Sequence, residues 1–191
     1  MKPLSLTIMK DEHQALAAML KSLPLLLGQA RRDGRPVDFG LVRAMLFYID
    51  EFPERLHHTK ESELLFPKLR ARAPELGASL DKLERDHAHG ERSVRELAHL
   101  LLAWEVMGEA RREAFERAAE QYVDNYLRHM AQEEAEILPA ALQHLSAADW
   151  AELDAAFAAN RDPLTGHEPE AAYRPLFQTI LNRAPAPIGL G

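Results

Sequence analysis

The sequence predicts an all-α protein: an antiparallel up-down-up-down four-helix bundle followed by a C-terminal helical extension. Glycine is scarce through the first 160 residues, where the strong helix formers alanine, leucine, glutamate and arginine dominate. No segment alternates apolar and polar residues over a length that would indicate a β-strand. Four long helical stretches separated by short turns favour a bundle, a fold that often holds metal sites between facing helices.

The first helix is predicted over residues 5–31, because apolar residues recur there on one helical face: Ile8, Leu16, Met19, Leu20, Leu23 and Leu27. Pro24 is expected to kink this helix, since proline has no N–H to donate within the helix. The following segment, 32–36, reads Arg-Asp-Gly-Arg-Pro and predicts a turn, because it contains residues that break helices.

Three more long helices complete the predicted bundle. The second covers residues 38–72 and is expected to be interrupted or bent at Pro53 and Pro67. The third covers 74–107, because proline is well accepted in a first helical turn. The fourth covers 109–145. The short connections between these helices imply that neighbours along the chain run antiparallel.

Two parts of the chain are predicted: the bundle over residues 1–145 and a C-terminal extension over 146–191. The spacing of Ser146 and Asp149 is typical of a capping box and predicts the start of a short fifth helix. One further short helix is expected before the tail. The tail from residue 184 is rich in proline and glycine and is expected to be mobile.

The composition excludes several classes of function. The 30 acidic residues outnumber the 23 basic ones, so no excess of positive charge is present to neutralise phosphates. No apolar run approaches the ~20 residues that span a bilayer, and the N-terminus lacks the apolar core of a signal peptide. The chain has no cysteine and therefore no disulfide or thiolate metal ligand. We expect a cytoplasmic protein that binds neither nucleic acid nor membranes.

An internal repeat is the most informative feature of the sequence. A histidine is followed four residues later by a glutamate in two places, His57 with Glu61 and His129 with Glu133. In both windows a proline stands ten residues after the histidine and is preceded by two apolar residues. Each window therefore places an imidazole and a carboxylate on one face of a helix.

The other two helices of the bundle also resemble each other. His13 follows an acidic residue in the first helix, and His87 follows one in the third. The chain thus consists of two helix–helix units, each with one lone histidine and one His-x-x-x-Glu pair, related by a pseudo-twofold arrangement. Four imidazoles and two carboxylates are expected to converge inside the bundle.

Such a set of donors predicts a metal centre with two ions. Six ligands exceed the four that one tetrahedral zinc takes, and each glutamate is able to bridge two ions. Nitrogen and oxygen donors without sulfur favour iron, manganese or zinc. Divalent cations would also offset the cost of placing two carboxylates in the core.

Over about residues 8–145 this pattern resembles the hemerythrin-like family, also called the HHE cation-binding domain. The resemblance implies a four-helix bundle around an oxo- or hydroxo-bridged di-iron centre, for which zinc or manganese would be substitutes. It implies that the reduced centre binds O2, or in some relatives NO or peroxide. The metal ligands that it implies are His13, His57, Glu61, His87, His129 and Glu133.

The sequence departs from the oxygen-carrying members, which have a His-x-x-x-His pair on the third helix. Glu91 stands at the fourth position after His87, and its role as a ligand, a hydrogen-bond partner or an exposed residue is left open. His58 has no glutamate four residues on, so we expect it to face outward or to hydrogen-bond to a ligand. Tyr126, one turn before His129, is assigned to the core.

Three functions are compatible with the predicted site. The first is binding of O2, NO or peroxide at the di-iron centre. The second is catalysis at the same centre, either peroxide decomposition or NO reduction. The third is an interaction module in which the state of the metal alters the C-terminal extension. A homodimer is also plausible, because the fifth helix carries apolar residues.

Overall fold

The computed structural model describes residues 2–190, so that Met1 and Gly191 lie outside the described residues. This part of the chain contains six helices and no β-strand, which confirms the predicted all-α fold. No helix within it is long and apolar enough to cross a bilayer. The helices are α1 (Leu4–Asp33), α2 (39–72), α3 (Gly77–Met107), α4 (112–144), α5 (Ala147–Phe157) and α6 (Arg174–Arg183).

The ends of the helices follow from local sequence. Gly34 ends α1 in the left-handed region, with a φ of 63° that favours glycine over other residues. At the start of α2, the side chain of Asp38 accepts a hydrogen bond from a backbone N–H in the first turn. Ser146 and Asp149 form the predicted capping box at α5, with the hydroxyl and the carboxylate each bonded to the other residue's backbone N–H.

Prolines widen α2 and α4 without interrupting them. The helix α2 contains π-helical turns at Asp50–His57 and Glu61–Leu65, and α4 contains one at Glu133–Ile137. Pro53 lies inside the first of these turns, Pro67 follows the second, and Pro139 follows the third. A proline offers no N–H and crowds the carbonyl one turn earlier, and a wider turn relieves both problems. The chain therefore stays helical through both prolines of α2, and near them the regular α-helix gives way to π-helical turns.

The C-terminal extension packs onto the bundle. The helix α5 lies against α1, and α6 lies against α2. The tail also makes specific contacts, since the hydroxyl of Ser22 in α1 donates a hydrogen bond of 3.0 Å to the carbonyl of Pro185. Ala184 and Pro185 are buried. The tail that was expected to be mobile is thus joined to α1 at these residues.

Buried apolar side chains form two separate cores along the bundle axis. The larger core includes Leu20 and Trp104 and also receives apolar side chains of α6. The smaller core includes Met9 and Phe66, together with side chains of α5. Along the long helices, the histidines and glutamates of the repeat lie where the residues of one core give way to those of the other. A polar layer therefore separates the two cores.

Candidate metal centre

The six residues that the repeat singles out meet in this polar layer, and all of them are buried. The helices α1 and α3 each contribute one histidine, and α2 and α4 each contribute a histidine and a glutamate. The side chains that the structure brings together are His13, His57, Glu61, His87, His129 and Glu133.

The first pair of histidines, His13 and His57, is called the His13 half below. Their Nε2 atoms lie 3.1 Å apart. Oε1 of Glu61 lies 3.1 Å from Nε2 of His57, and Oε2 of Glu133 lies 3.4 Å from Nε2 of His13. Two imidazole nitrogens and one oxygen of each glutamate therefore face the same point.

The second pair, His87 and His129, is called the His87 half. Their Nε2 atoms lie 3.0 Å apart. The remaining oxygens of the two glutamates reach this half, since Oε1 of Glu133 lies 3.2 Å from Nε2 of His129 and Oε2 of Glu61 lies 3.5 Å from Nε2 of His87. Each carboxylate thus spans both halves, as a ligand that bridges two cations would.

Acidic side chains orient one histidine of each half from outside the centre. Oε2 of Glu12 lies 2.7 Å from Nδ1 of His57, and Oδ2 of Asp86 lies 3.5 Å from Nδ1 of His129. Such partners hold an imidazole so that its other nitrogen points at the metal. Glu12 and Asp86 each precede the lone histidine of their own helix, and this position in the repeat is the signal that could have identified them.

The lone histidines have equivalent partners. Nδ1 of His13 lies 3.1 Å from Oε1 of Glu134, and Nδ1 of His87 lies 2.9 Å from Oγ of Ser62. Glu134 and Ser62 each follow the glutamate of a His-x-x-x-Glu pair, so the repeat extends to these positions as well. All four histidines consequently present Nε2 to the interior.

The carboxylates have the features expected of cation ligands. All four oxygens of Glu61 and Glu133 are buried, yet none of them accepts a hydrogen bond within residues 2–190. A buried carboxylate without hydrogen bonds is costly unless an opposite charge compensates it. Two divalent cations between the facing nitrogens and oxygens would satisfy both carboxylates. The residues therefore fit a metal centre.

Protonation of the centre is set by opposite charges that outweigh burial. Burial disfavours a charged imidazole, but the carboxylates of Glu133 and Asp86 raise the pKa of His129 to about 10. Burial and the neighbouring carboxylate of Glu61 act to raise the pKa of Glu133, but the histidines outweigh them and lower it to about 2. A histidine must lose its Nε2 proton to bind a metal, so cation binding competes with these protons.

His58 does not face outward, so that part of the expectation is wrong. Its side chain is buried, and its ring stacks on that of His87 with centroids 4.3 Å apart. Its Nδ1 lies 3.1 Å from Oε2 of Glu54. Burial and the nearby histidines lower the pKa of His58 well below its usual value, which favours a neutral ring. Glu91, by contrast, is exposed and pairs with Arg95 at 2.6 Å.

A buried carboxylate with two phenols lies beside His58. Glu54 accepts hydrogen bonds from the hydroxyls of Tyr122, at 3.0 Å, and Tyr126. Burial raises the pKa of Glu54 to about 7, although both hydrogen bonds oppose the shift. The facing helix α3 has Gly90 here, where a Cβ atom would lie 2.4 Å from the Tyr126 hydroxyl. The repeat does not predict this group, although Glu54 stands one turn before His58.

The C-terminal extension covers the His13 half. Asn160, just after α5, donates a hydrogen bond of 3.0 Å from Nδ2 to Glu12. Phe157 packs edge-on against the ring of His57, with centroids 5.7 Å apart. The cavity that remains beside His13 and His57 measures about 10 Å³, which is enough for one water molecule.

The His87 half opens toward solvent. A cleft of about 610 Å³ lies between α3 and α4 and reaches the two histidines of this half. Gly90, Tyr122 and Tyr126 line its inner part. The two halves of the centre therefore differ in access, because one is covered by the extension and the other meets a cleft.

Comparison with known proteins identifies the family. The model of the hemerythrin HHE cation binding domain matches residues 4–141, which include α1, α2, α3 and all but the last three residues of α4. None of the curated proteins and none of the solved structures matches the chain. The matched range covers most of the chain and contains both His-x-x-x-Glu pairs. The chain therefore belongs to the hemerythrin HHE cation-binding domain family.

Proposed function

We propose that this chain is a non-heme di-iron protein that binds O2, or a related small molecule such as NO or peroxide. The observation that carries the proposal is the arrangement of the buried donors. Four Nε2 atoms form two facing pairs, and two carboxylates without hydrogen bonds span them. The proposed ligands are His13, His57, Glu61, His87, His129 and Glu133.

Iron is the cation that the proposal favours, with zinc and manganese as substitutes. The donors are imidazole nitrogens and carboxylate oxygens, and the chain has no cysteine. Two histidines and an oxygen of each carboxylate leave a six-coordinate ion with open positions. A pair of iron ions would supply one-electron redox steps and a coordination position for an exogenous ligand.

The protein controls access to the centre and the position of its ligands. The cleft between α3 and α4 gives a small molecule a path to the His87 half, whereas Phe157 and Asn160 cover the His13 half. The apolar cores above and below the polar layer limit the entry of water along the bundle axis. A ligand is therefore expected to reach the centre from the side of His87 and His129.

A catalytic alternative is favoured by the group that contains Glu54. NO reduction consumes protons, and peroxide decomposition moves protons from one oxygen atom to another. Tyr122, Tyr126 and Glu54 lie between His58 and the inner part of the cleft. Because burial raises the pKa of Glu54 to about 7, its carboxyl group would hold a proton in a substantial fraction of molecules near neutral pH.

An interaction module is the third function, and the link from Asn160 through Glu12 to His57 favours it. This link joins the C-terminal extension to the centre. If the state of the metal alters the extension, cleavage by a protease between residues 161 and 167 should change with the oxidation state of the iron. An unchanged cleavage pattern would exclude this function.

The test is anaerobic loading with Fe(II), followed by measurement of metal content and of absorption spectra before and after admission of air. We expect about two irons per chain and a new visible band that disappears when O2 is removed. Two irons with irreversible oxidation would favour catalysis. One zinc or no metal would refute the di-iron proposal.

The assignment of ligands is tested by His129→Ala. We expect this variant to lose most of its bound metal and to melt at a lower temperature in the presence of metal, because a bound ion stabilises the folded state. The matched control is His99→Ala, which changes an exposed histidine of α3 outside the polar layer. Full metal content in His129→Ala would show that the site is misplaced.

A further inference from the structure

We propose that His58 is a third histidine ligand of the cation in the His87 half, so that the two cations have unequal donor sets. This inference rests on the metal centre proposed above. It adds a residue that the repeat does not predict. The inference depends on the position of His58, on the partner that orients its ring, and on a break in the pseudo-twofold repeat.

The position of His58 is suitable for a ligand. One donor atom from each of His58, Glu61, His87 and His129 can be chosen so that all four lie within 4.8 Å of one another. Bonds from a metal to nitrogen or oxygen are about 2.0–2.2 Å long, so opposite ligands of one ion are about 4.2 Å apart. The four donors are therefore no farther apart than about 0.6 Å beyond the span of the ligands of one ion.

The orientation of His58 matches that of the other four histidines. In each of them an oxygen atom faces Nδ1, and for His58 this atom is Oε2 of Glu54 at 3.1 Å. Glu54 is held in turn by the hydroxyls of Tyr122 and Tyr126. Gly90 on α3 provides the space for this group, since any side chain there would collide with it. Residues of three helices thus hold one imidazole through its Nδ1, and within residues 2–190 its Nε2 makes no hydrogen bond that would compete with a cation.

The repeat is broken at the positions that form this support. Where α2 has His58 after His57, α4 has Met130 after His129. Met130 is buried in the larger apolar core and offers no nitrogen donor. The position equivalent to Glu54 in α4 is Tyr126. A fifth histidine with its own carboxylate therefore occurs in the His87 half alone.

An alternative role for His58 is to pack against His87 without binding a metal. The two roles differ in what an aromatic replacement would do. His58→Phe keeps a flat ring to stack on His87 but removes both nitrogens. If His58 only packs, the affinity for metal should survive this change. If it is a ligand, one of the two ions should bind more weakly and the other should be unaffected.

The first experiment is a chelator competition on the full chain, loaded anaerobically with Fe(II). We expect His58→Phe to bind one ion as the wild type does and to bind the second at least about tenfold more weakly. The fold control is Met130→Leu, which changes the equivalent position of α4 and should bind both ions normally. Two wild-type affinities in His58→Phe would overturn the inference.

A second measurement requires no variant, and it applies even if His58→Phe fails to fold. The wild-type chain is labelled with ¹⁵N-histidine and loaded with Zn(II), and the histidines with a metal-bound ring nitrogen are counted by NMR. Five bound histidines would support the inference, and four would overturn it. If the wild-type chain binds no ion in either experiment, the proposed metal centre itself fails. Two bound ions with only four histidines would reject His58 alone.

Discussion

Replacing Gly90 with alanine should destabilise the protein, even though alanine is the better helix former. Gly90 lies in the middle of α3, where it faces the group formed by Glu54, Tyr122 and Tyr126. A Cβ atom at this position would lie 2.4 Å from the hydroxyl of Tyr126 and 2.9 Å from Oε1 of Glu54. Both distances are shorter than any real contact of a Cβ atom. The phenol of Tyr126 must therefore move away from α3, which disturbs its hydrogen bond to the carboxylate of Glu54.

Three contributions decide the size of the effect. Inserting a methyl group into a packed interior costs ~1–3 kcal/mol. Loss of the hydrogen bond from Tyr126 to the buried Glu54 adds ~1–3 kcal/mol, because the carboxylate keeps its desolvation cost. Alanine also restricts the unfolded chain more than glycine does, but this stabilises the variant by only ~0.4–1 kcal/mol. We expect the free energy of unfolding to fall by about 3 kcal/mol, near the middle of the ~1–6 kcal/mol that these contributions span.

Urea unfolding of the metal-free chain provides the assay. Gly90→Ala should lower the midpoint and leave the slope unchanged, since the surface exposed on unfolding is nearly the same. The matched control is Gly77→Ala at the start of the same helix, where a Cβ atom would meet nothing within 4 Å. This control should equal or exceed the wild type in stability. A Gly90→Ala variant as stable as Gly77→Ala would refute the argument from close contact.

Two further predictions concern the extension. Burial raises the pKa of Asp162 to about 6, against hydrogen bonds that include one from Tyr48, so the folded state binds a proton more tightly than the unfolded state. The contribution of the Asp162 carboxyl group to the free energy of unfolding is therefore present at low pH and is lost as the pH rises from about 4 to 6. The free energy of unfolding of Asp162→Asn, measured with urea, should therefore exceed that of the wild type by up to about 3 kcal/mol at pH 7 and equal it at pH 4. A difference that does not depend on pH would contradict this. Asn160→Ala removes the hydrogen bond to Glu12 and should weaken metal binding several-fold in a chelator competition, because His57 loses part of its support. An unchanged affinity for metal would show that Glu12 orients His57 without the hydrogen bond from Asn160.

The sequence predicts the parts of this site that depend on helical geometry alone. His57 and Glu61 are four residues apart, and that spacing places both on one face of any helix, including one with a widened turn. The same reasoning applies to His129 and Glu133. The repeat of this pair then indicates that two such faces meet. For these reasons the fold and the convergence of the six donors follow from the sequence.

The repeat could have indicated Glu12, but the contacts that Asn160 and His58 make with distant elements are not encoded in any local pattern. Glu12 is 45 residues from His57, and Asn160 is 148 residues from Glu12. Asn160 reaches the centre from irregular backbone, next to Arg161 with a φ of 48°. His58 points about 100° away from His57 along α2, which on an isolated helix suggests an exposed side chain. It is buried because α3 and α4 cover that side of the helix.

The polar layer has a consequence for how the protein opens. The two apolar cores share no buried residue, so contacts between apolar side chains give cooperativity within each core but not from one to the other. Without cations, backbone amides near Met9 and Phe66 should exchange their hydrogens independently of those near Trp104. Cations bound by residues of all four long helices would join the two ends into one cooperative unit. Metal loading should therefore make the opening free energies of the two ends converge.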